Sequence, residues 1–145
     1  MALDPLAYQV HDEPPASSLA LVDAGLDKAN HAAAPLADVR PLASFAHARG
    51  GRLVAGAVGR TWGQCCELQQ LWVEPDHRRQ GVASRLLQLF EARAADRGCR
   101  YFYLETFSFQ APGFYQKQGY RSAIQLDGFS AGITKQLMVK RLDRN

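Results

Sequence analysis

One segment near the middle of the chain constrains the fold more than any other: an apolar strand leads through a basic, glycine-containing turn into an amphipathic helix. From residue 71 it reads LWVEPDHRRQGVASRLL. The apolar residues that recur at helical spacing are Val82, Leu86, Leu87, Phe90 and Ala94. A strand joined this directly to a helix that must bury one face indicates a mixed α/β domain.

The turn is suited to binding a pyrophosphate. The first amides of a helix have no partner within the helix and lie at the positive end of its dipole. The amides predicted to donate to phosphate oxygens are those of Gln80, Gly81, Val82, Ala83 and Ser84. Arg78, Arg79 or Arg85 can add charge-assisted hydrogen bonds. Taken alone, the turn is equally compatible with an ordinary strand–helix corner, and it lacks the signatures of a P-loop and of a dinucleotide-binding fold.

The rest of the chain reads as strands and helices without a repeat or a linker. Seven strands are predicted, over residues 6–10, 42–48, 53–62, 65–73, 99–106, 121–126 and 133–142. A first helix, capped by Ser17 or Ser18, is predicted to continue to about Asn30, a second runs from 81 to a stop at Gly98, and a short third covers 112–117. Because 145 residues are the usual size of one domain, a single domain over 1–145 is expected.

Composition argues against several classes of protein. The net charge is only +3, and the basic residues are dispersed, so no nucleic-acid partner is expected. Cys65, Cys66 and Cys99 are an odd number in no metal-ligand spacing, which favours reduced thiols, no metal and a cytoplasmic location. The sequence shows no secretion signal and no run of about 18 apolar residues, so no membrane partner is expected either.

A second motif follows the first, with the sequence APGFYQKQGY over residues 111–120. The two motifs resemble motifs A and B of the general control N-acetyltransferase-related (GNAT) superfamily. Arg78-x-x-Gly81-x-Ala83 is similar to motif A, and an alanine shortly before a Phe-Tyr-x-x-x-Gly-aromatic run is similar to motif B. The resemblance covers roughly residues 6 to 142 and is strongest from 67 to 120.

The resemblance implies a GNAT fold, with a central mixed, mostly antiparallel sheet flanked by helices, and transfer of an acetyl group from acetyl-CoA to an amine. It places the pantetheine arm and the acetyl carbonyl along Leu71, Trp72 and Val73, where free strand amides would stabilise the oxyanion. Tyr115 matches the residue that protonates the departing thiolate, and Glu67 stands where some members carry a general base. Without the resemblance, Tyr115 could be a packed aromatic and Glu67 an outward-facing strand residue.

Some features stay open at this level. A second interpretation is a catalytically weak module of the same fold that binds acyl-CoA as a sensor or scaffold. The acceptor is a small-molecule or peptide amine whose identity cannot be read, and the family makes a homodimer plausible. Ser108 stands where many members have asparagine, which leaves the hydrogen bonding around CoA open. Glu105, inside an apolar strand, is a weaker candidate for the general base, and its expected role is that of a structural partner of an arginine or a backbone donor.

Overall fold

A computed structural model describes residues 4–143 and contains one six-stranded sheet with three α-helices. The strands are β1 (Arg40–His47), β2 (Leu53–Trp62), β3 (Cys65–Val73), β4 (Tyr101–Phe107), β5 (Arg121–Leu126) and β6 (Lys135–Arg141). The helices are α1 (Ala16–Ala33), α2 (Val82–Asp96) and α3 (Pro112–Lys117). The strand order is β1-β2-β3-β4-β6-β5, and only the β3–β4 pair is parallel. The predicted mixed, mostly antiparallel sheet and the meander of β1 to β3 are confirmed.

The chain divides into two compact units, the first ending at Leu36 and the second beginning at Ala37. The first unit contains α1, none of whose residues is buried. The predicted cap of this helix is wrong, because the residue before its first turn is Pro15 and no side chain caps it. Instead, the Pro15 carbonyl accepts hydrogen bonds from the amides of Ser18 and Leu19.

The predicted strand over residues 6–10 is also wrong, since this segment has no regular structure. Leu6, Tyr8 and Val10 are 75%, 86% and 98% exposed. An alternating sequence becomes a strand only where a neighbouring strand supplies backbone partners, and no strand of residues 4–143 pairs with it.

The core lies between the sheet and α2, whose buried residues are Leu86, Leu87, Phe90 and Ala94. We call the side of the sheet that α2 covers the core face and the other side the outer face. The Ser44 hydroxyl of β1 donates to the Leu86 carbonyl at 2.8 Å, so alternate residues of β1 are assigned to the core face from Ser44. Gly98, with φ +95°, ends the helix in a conformation that glycine adopts without strain, as predicted.

A β-bulge changes which residues of β3 face the core. Val58 of β2 pairs with Gln70, but its neighbour Gly59 pairs with Leu68, so Gln69 is an extra residue in β3. Glu67 lies on the outer face before the bulge, whereas Leu71 and Val73 pack against the core after it. In a strand without a bulge, these three odd-numbered side chains would all face the same side.

Strands β3 and β4 pair over three residues only. Their last paired position joins Glu67 to Tyr103, and beyond it the strands have no further ladder. The remaining part of β3 is therefore paired on the β2 side alone, which leaves an opening between two central strands of the sheet.

Candidate active site

The opening between β3 and β4 leads into a cavity of about 1020 Å³. Side chains from both faces of the sheet line it. They include Leu68 and Leu104 on the core face, and Gln70 and Glu105 on the outer face. The cavity therefore passes through the sheet and continues to the first turn of α2.

Most of the site residues predicted from the sequence line this one cavity. They are Leu71, Trp72, Val73, Arg78, Arg79, Gly81, Val82, Ala83, Ser84 and Tyr115. Gln80 and Glu67 are not among the lining residues; the Gln80 side chain donates to the Asp76 carbonyl at 3.2 Å.

Two backbone amides of β3 point into the opening. The Glu74 amide donates to the Val54 carbonyl of β2 at 2.8 Å. Because backbone groups alternate along a strand, the amides of Leu71 and Val73 lie on the opposite edge, toward β4. These two amides have the placement that an oxyanion or an amide-bearing ligand requires.

The turn before α2 forms an open cradle. Gly81 precedes the helix with φ +78°, and a Cβ at this position would meet nothing within 4 Å. Arg79 also has a positive φ of 62°, which costs free energy in a residue with a Cβ. The Arg78 Nε donates to the Val73 carbonyl at 2.9 Å and so fixes the turn against the end of β3. Val82, Ala83 and Ser84 line the cavity, so the first turn of α2, whose amides have no partner within the helix, borders its open space.

The end of β3 is held by Glu74, whose carboxylate contacts Arg52 and His77. The hydrogen bond from Arg52 lowers the pKa of the Glu74 carboxyl, so this group stays ionised. His77 lines the cavity beside the turn, and its Nδ1–H donates to the Glu74 carboxylate at 3.0 Å.

Tyr115 lies on α3 and packs against the core with its ring while lining the cavity. Burial raises the pKa of its hydroxyl, so the phenol remains protonated well above neutral pH. Its ring contacts those of Phe114 and Tyr120 edge-on, with centroids 5.1 and 6.0 Å away. Those neighbours fill the space behind Tyr115 and fix its direction.

A partly buried polar cluster fixes the far end of α3. The Glu91 carboxylate of α2 accepts from the Tyr120 hydroxyl at 3.0 Å and from the Lys140 ammonium at 2.8 Å. Lys140 also donates to the Gln118 carbonyl, and the Gln118 side chain donates to the Ser84 hydroxyl at 2.9 Å. The cluster ties α3 to α2 and to β6.

Glu67 occupies the apex of the opening, at the last position where β3 and β4 pair. Its carboxylate accepts from the Arg60 Nε at 3.0 Å and from the Tyr103 hydroxyl at 3.3 Å. It lines a smaller outer-face pocket of about 390 Å³. The structure thus places Glu67 beside the opening and does not bring it together with Tyr115 in the main cavity.

Several lining residues were missed or undervalued in the sequence, among them Phe45, Gly56 and Glu105. Phe45 and Gly56 lie on β1 and β2, outside both motifs, and no local signal marks them. Glu105 does have a partner, as expected, but the partner is Lys135, whose ammonium lies 2.7 Å from the carboxylate. Ser108 exchanges hydrogen bonds with Thr134 and does not line the cavity.

The surroundings of the buried cysteine thiols do not favour a nucleophilic role. Burial raises the pKa of Cys66 to about 12 and also raises that of Cys99, so both remain protonated near neutral pH. Cys65 is exposed.

Among residues 4–143, no three His, Cys, Asp or Glu side chains are arranged to hold a metal ion. Within the same range, no helix has the length and apolarity needed to cross a membrane.

Comparisons with known proteins agree on one family. Residues 10–120 match the profile of the acetyltransferase (GNAT) family. The chain is 42% identical to the blasticidin-S acetyltransferase of Streptomyces morookaense over 112 residues, which cover 74% of this chain and 82% of that protein. The crystal structure of an acetyltransferase from Bacillus cereus superimposes with a TM-score of 0.76 at 25% identity, covering 92% of this chain and 98% of the other.

A more distant likeness concerns the fold alone. An N-acetyltransferase from Thermoplasma acidophilum, solved in complex with coenzyme A, has a TM-score of 0.59 at 20% identity. The match covers 71% of this chain and 62% of that one.

Proposed function

The chain belongs to the GNAT family of acetyltransferases, and from that premise we propose that it transfers the acetyl group of acetyl-CoA to a primary amine by direct attack in a ternary complex. The observation that carries the proposal is the cavity that joins the open edge of β3 to the first turn of α2. One end offers unpaired helix amides and two arginines, and the other offers strand amides and a tyrosine hydroxyl.

The residues present fit acetyl-CoA, which would supply the activated thioester. The amides of the α2 turn, with Arg78 and Arg79 nearby, would hold the pyrophosphate, and Gly81 would let it approach the backbone closely. The amides of Leu71 and Val73 would orient the pantetheine arm and donate to the carbonyl oxygen as it gains negative charge. Such a donor typically contributes a factor of about 10² to 10³ in rate.

Tyr115 would protonate the departing thiolate, since its phenol lines the cavity and remains protonated at neutral pH. Glu67 would act as the base, taking the proton of the attacking amine through a water at the apex of the opening. Its ion pair with Arg60 would hold the carboxylate in place while one oxygen remains available for the water.

The acceptor is proposed to be a small molecule. The relative from Streptomyces morookaense is named for acetylation of blasticidin S, and it is 42% identical to this chain. Blasticidin S is therefore the first acceptor to test, with formation of an acetylated product followed by mass spectrometry.

Isothermal titration of the purified protein with acetyl-CoA tests the cofactor site. Gly81→Glu would place a carboxylate against the pyrophosphate, and we expect it to weaken binding by at least about a hundredfold, since it combines charge repulsion with loss of the open cradle. Wild type without measurable affinity for acetyl-CoA would refute the proposed function.

Gly98→Glu is the matched control for that substitution. Gly98 lies at the other end of α2, also has a positive φ, and also has free space where a Cβ would lie. Both variants carry a similar backbone strain, so only the effect on the ligand separates them. Equal loss of affinity in the two variants would show that strain, and not the phosphate site, is responsible.

A further inference from the structure

The cavity described above has two mouths that differ in charge: one is basic, and the other contains an acidic side chain that is paired with Lys135. On the core face, Arg78, Arg79 and the first turn of α2 give it a positive character. On the outer face, Glu105 is the one carboxylate among the described residues that line it. A ligand that occupies the core-face mouth with its phosphates leaves the outer-face mouth to the acceptor.

Glu105 is assigned to the outer face by its neighbours on β4. Leu104 and Thr106 are buried, whereas the Glu105 side chain is 60% exposed. Its Oε2 contacts the Lys135 ammonium, and among the described residues its Oε1 has no partner. One carboxylate oxygen is therefore available to a cationic group entering from the outer face.

An aromatic row lies across the opening from Glu105. Phe45, Gly56 and Trp72 are direct cross-strand partners on β1, β2 and β3, so their side chains lie in one row on the outer face. A Cβ at Gly56 would lie 2.9 Å from the Phe45 ring, which shows that this ring extends over the glycine. Phe45 and Trp72 are 51% and 48% exposed, and both line the cavity.

From this arrangement we infer that Phe45, Trp72 and Glu105 select the acceptor at the outer-face mouth, and that they select a primary amine carrying a flat apolar or aromatic part and a second cationic group. Phe45 and Trp72 contact the flat part, and Glu105 accepts hydrogen bonds from the second cation. The inference rests on the proposed function and adds to it the chemical class of the acceptor.

The second cation is distinct from the reacting amine for a chemical reason. The attacking nitrogen must be neutral before it can form the bond to the acetyl carbon, and its proton is assigned to Glu67; Glu105, already paired with Lys135, instead contacts a cation that keeps its charge. Glu105 is thus a specificity-determining residue and not the base.

Two probes that differ in one charge test the inference by binding, without turnover. They are 4-(aminomethyl)benzamidine and 4-(aminomethyl)benzamide, which share the ring and the primary amine. Each is titrated into the protein in saturating coenzyme A. We expect the amidine to bind about tenfold more tightly than the amide, a preference that Glu105→Gln abolishes, because a charge-assisted hydrogen bond is worth roughly that factor.

Matched variants separate this effect from general changes. Asp127→Asn removes an exposed carboxylate outside the cavity and should leave the preference at about tenfold. Phe45→Leu should weaken both probes severalfold to a similar extent, whereas Tyr101→Leu, an exposed ring on the same face but outside the cavity, should weaken neither.

The outcomes distinguish the two proposals. Equal affinity of wild type for the two probes, or a preference that survives in Glu105→Gln, overturns the acceptor inference. Affinity for acetyl-CoA is measured in the same preparations and should be unchanged in Glu105→Gln, which also shows that this variant is folded. Loss of acetyl-CoA binding in the wild type would refute the proposed function itself.

Discussion

At the scale of single residues, Tyr115 illustrates how packing prepares a side chain for chemistry. Its ring is held by two aromatic neighbours, while its hydroxyl has no hydrogen-bond partner among residues 4–143. Burial that raises a phenol pKa disfavours the phenolate and so keeps the proton available for a leaving group. Because the buried ring makes the packing contacts, removing the hydroxyl is expected to change the structure little.

Tyr115→Phe is therefore expected to lower kcat by about 10² or more while leaving the Kd for acetyl-CoA within about twofold, since a positioned acid typically contributes 10² to 10⁴. Steady-state kinetics with blasticidin S or another accepted amine, combined with titration calorimetry, measure the two quantities. Tyr101→Phe removes the hydroxyl of an exposed tyrosine outside the cavity and is the control. An unchanged kcat in Tyr115→Phe would assign the protonation step to another group, and a wild type that binds acetyl-CoA but acetylates no amine would favour the sensor module.

The residues of the site were only partly predictable from the sequence. The part of the site around the start of α2 was predictable, because Gly81 and its flanking residues are consecutive in the chain and the sequence marks the beginning of the helix directly. Phe45 and Glu105 reach the cavity only through strand register, which a sequence does not display. Glu67 and Leu71 show the same limit, since their relative orientation depends on one extra residue at Gln69.

At the scale of secondary structure elements, the pairing of β2 with β3 determines the shape of the opening. Gly59 stands beside the bulge, and a Cβ there would overlap the Glu67 carbonyl oxygen and crowd the Phe90 ring. A backbone atom cannot move aside as the end of a flexible side chain can. Glycine at this position is thus required by close approach of two strands, and not by a positive φ.

We expect Gly59→Ala to destabilise the protein by more than about 2 kcal/mol, because accommodating the methyl group requires β3 to shift. Gly56→Ala is the matched comparison: its added methyl group would meet the Phe45 ring, an exposed side chain that can rotate. Urea denaturation of the two variants gives the free energies of unfolding. If the free energy of unfolding falls by the same amount in both variants, the close contact at the bulge is not what requires glycine at position 59.

Most elements were predictable because their signals are local. Strands β2, β3 and β5 and helix α3 have the predicted bounds, and β1, β4 and β6 differ from the prediction by one or two residues at their ends. Turn glycines and alternating apolar residues are sufficient for this. The prediction of a strand over residues 6–10 was wrong because, although its sequence pattern is compatible with a strand, none of the strands within residues 4–143 pairs with it.

At the scale of the whole molecule, buried ionisable groups link stability to pH. Cys66 is 1% exposed, and burial raises the pKa of its thiol from the ordinary value of 9.0 to about 12. Because the folded-state pKa is the higher one, the stabilisation is complete below pH 9. It is lost as the pH rises from about 9 toward 12, where the unfolded chain releases a proton that the folded chain retains.

The free energy of unfolding is accordingly expected to fall by about 1 kcal/mol more in the wild type than in Cys66→Ala between pH 8 and pH 10. Urea titrations at the two pH values give the free energy of unfolding of each protein, and the change between pH 8 and pH 10 is compared between the two. Because the small cavity left by alanine destabilises the variant equally at both pH values, its cost cancels in this comparison. Parallel losses in the two proteins would mean that Cys66 does not contribute to the alkaline sensitivity. Cys99 and Tyr120, whose pKa values are also raised, would then be the next groups to test.

The extra residue in β3 also has a consequence for protein engineering. Replacing Gln69 alters one side chain, whereas deleting it would remove the bulge and leave every other residue of β3 on its present side, because Leu68 and Gln70 already pair with the consecutive residues Gly59 and Val58. A single-codon deletion at position 69 therefore isolates the contribution of the bulge to the shape of the opening, since Leu71 and Val73 would still pack against the core.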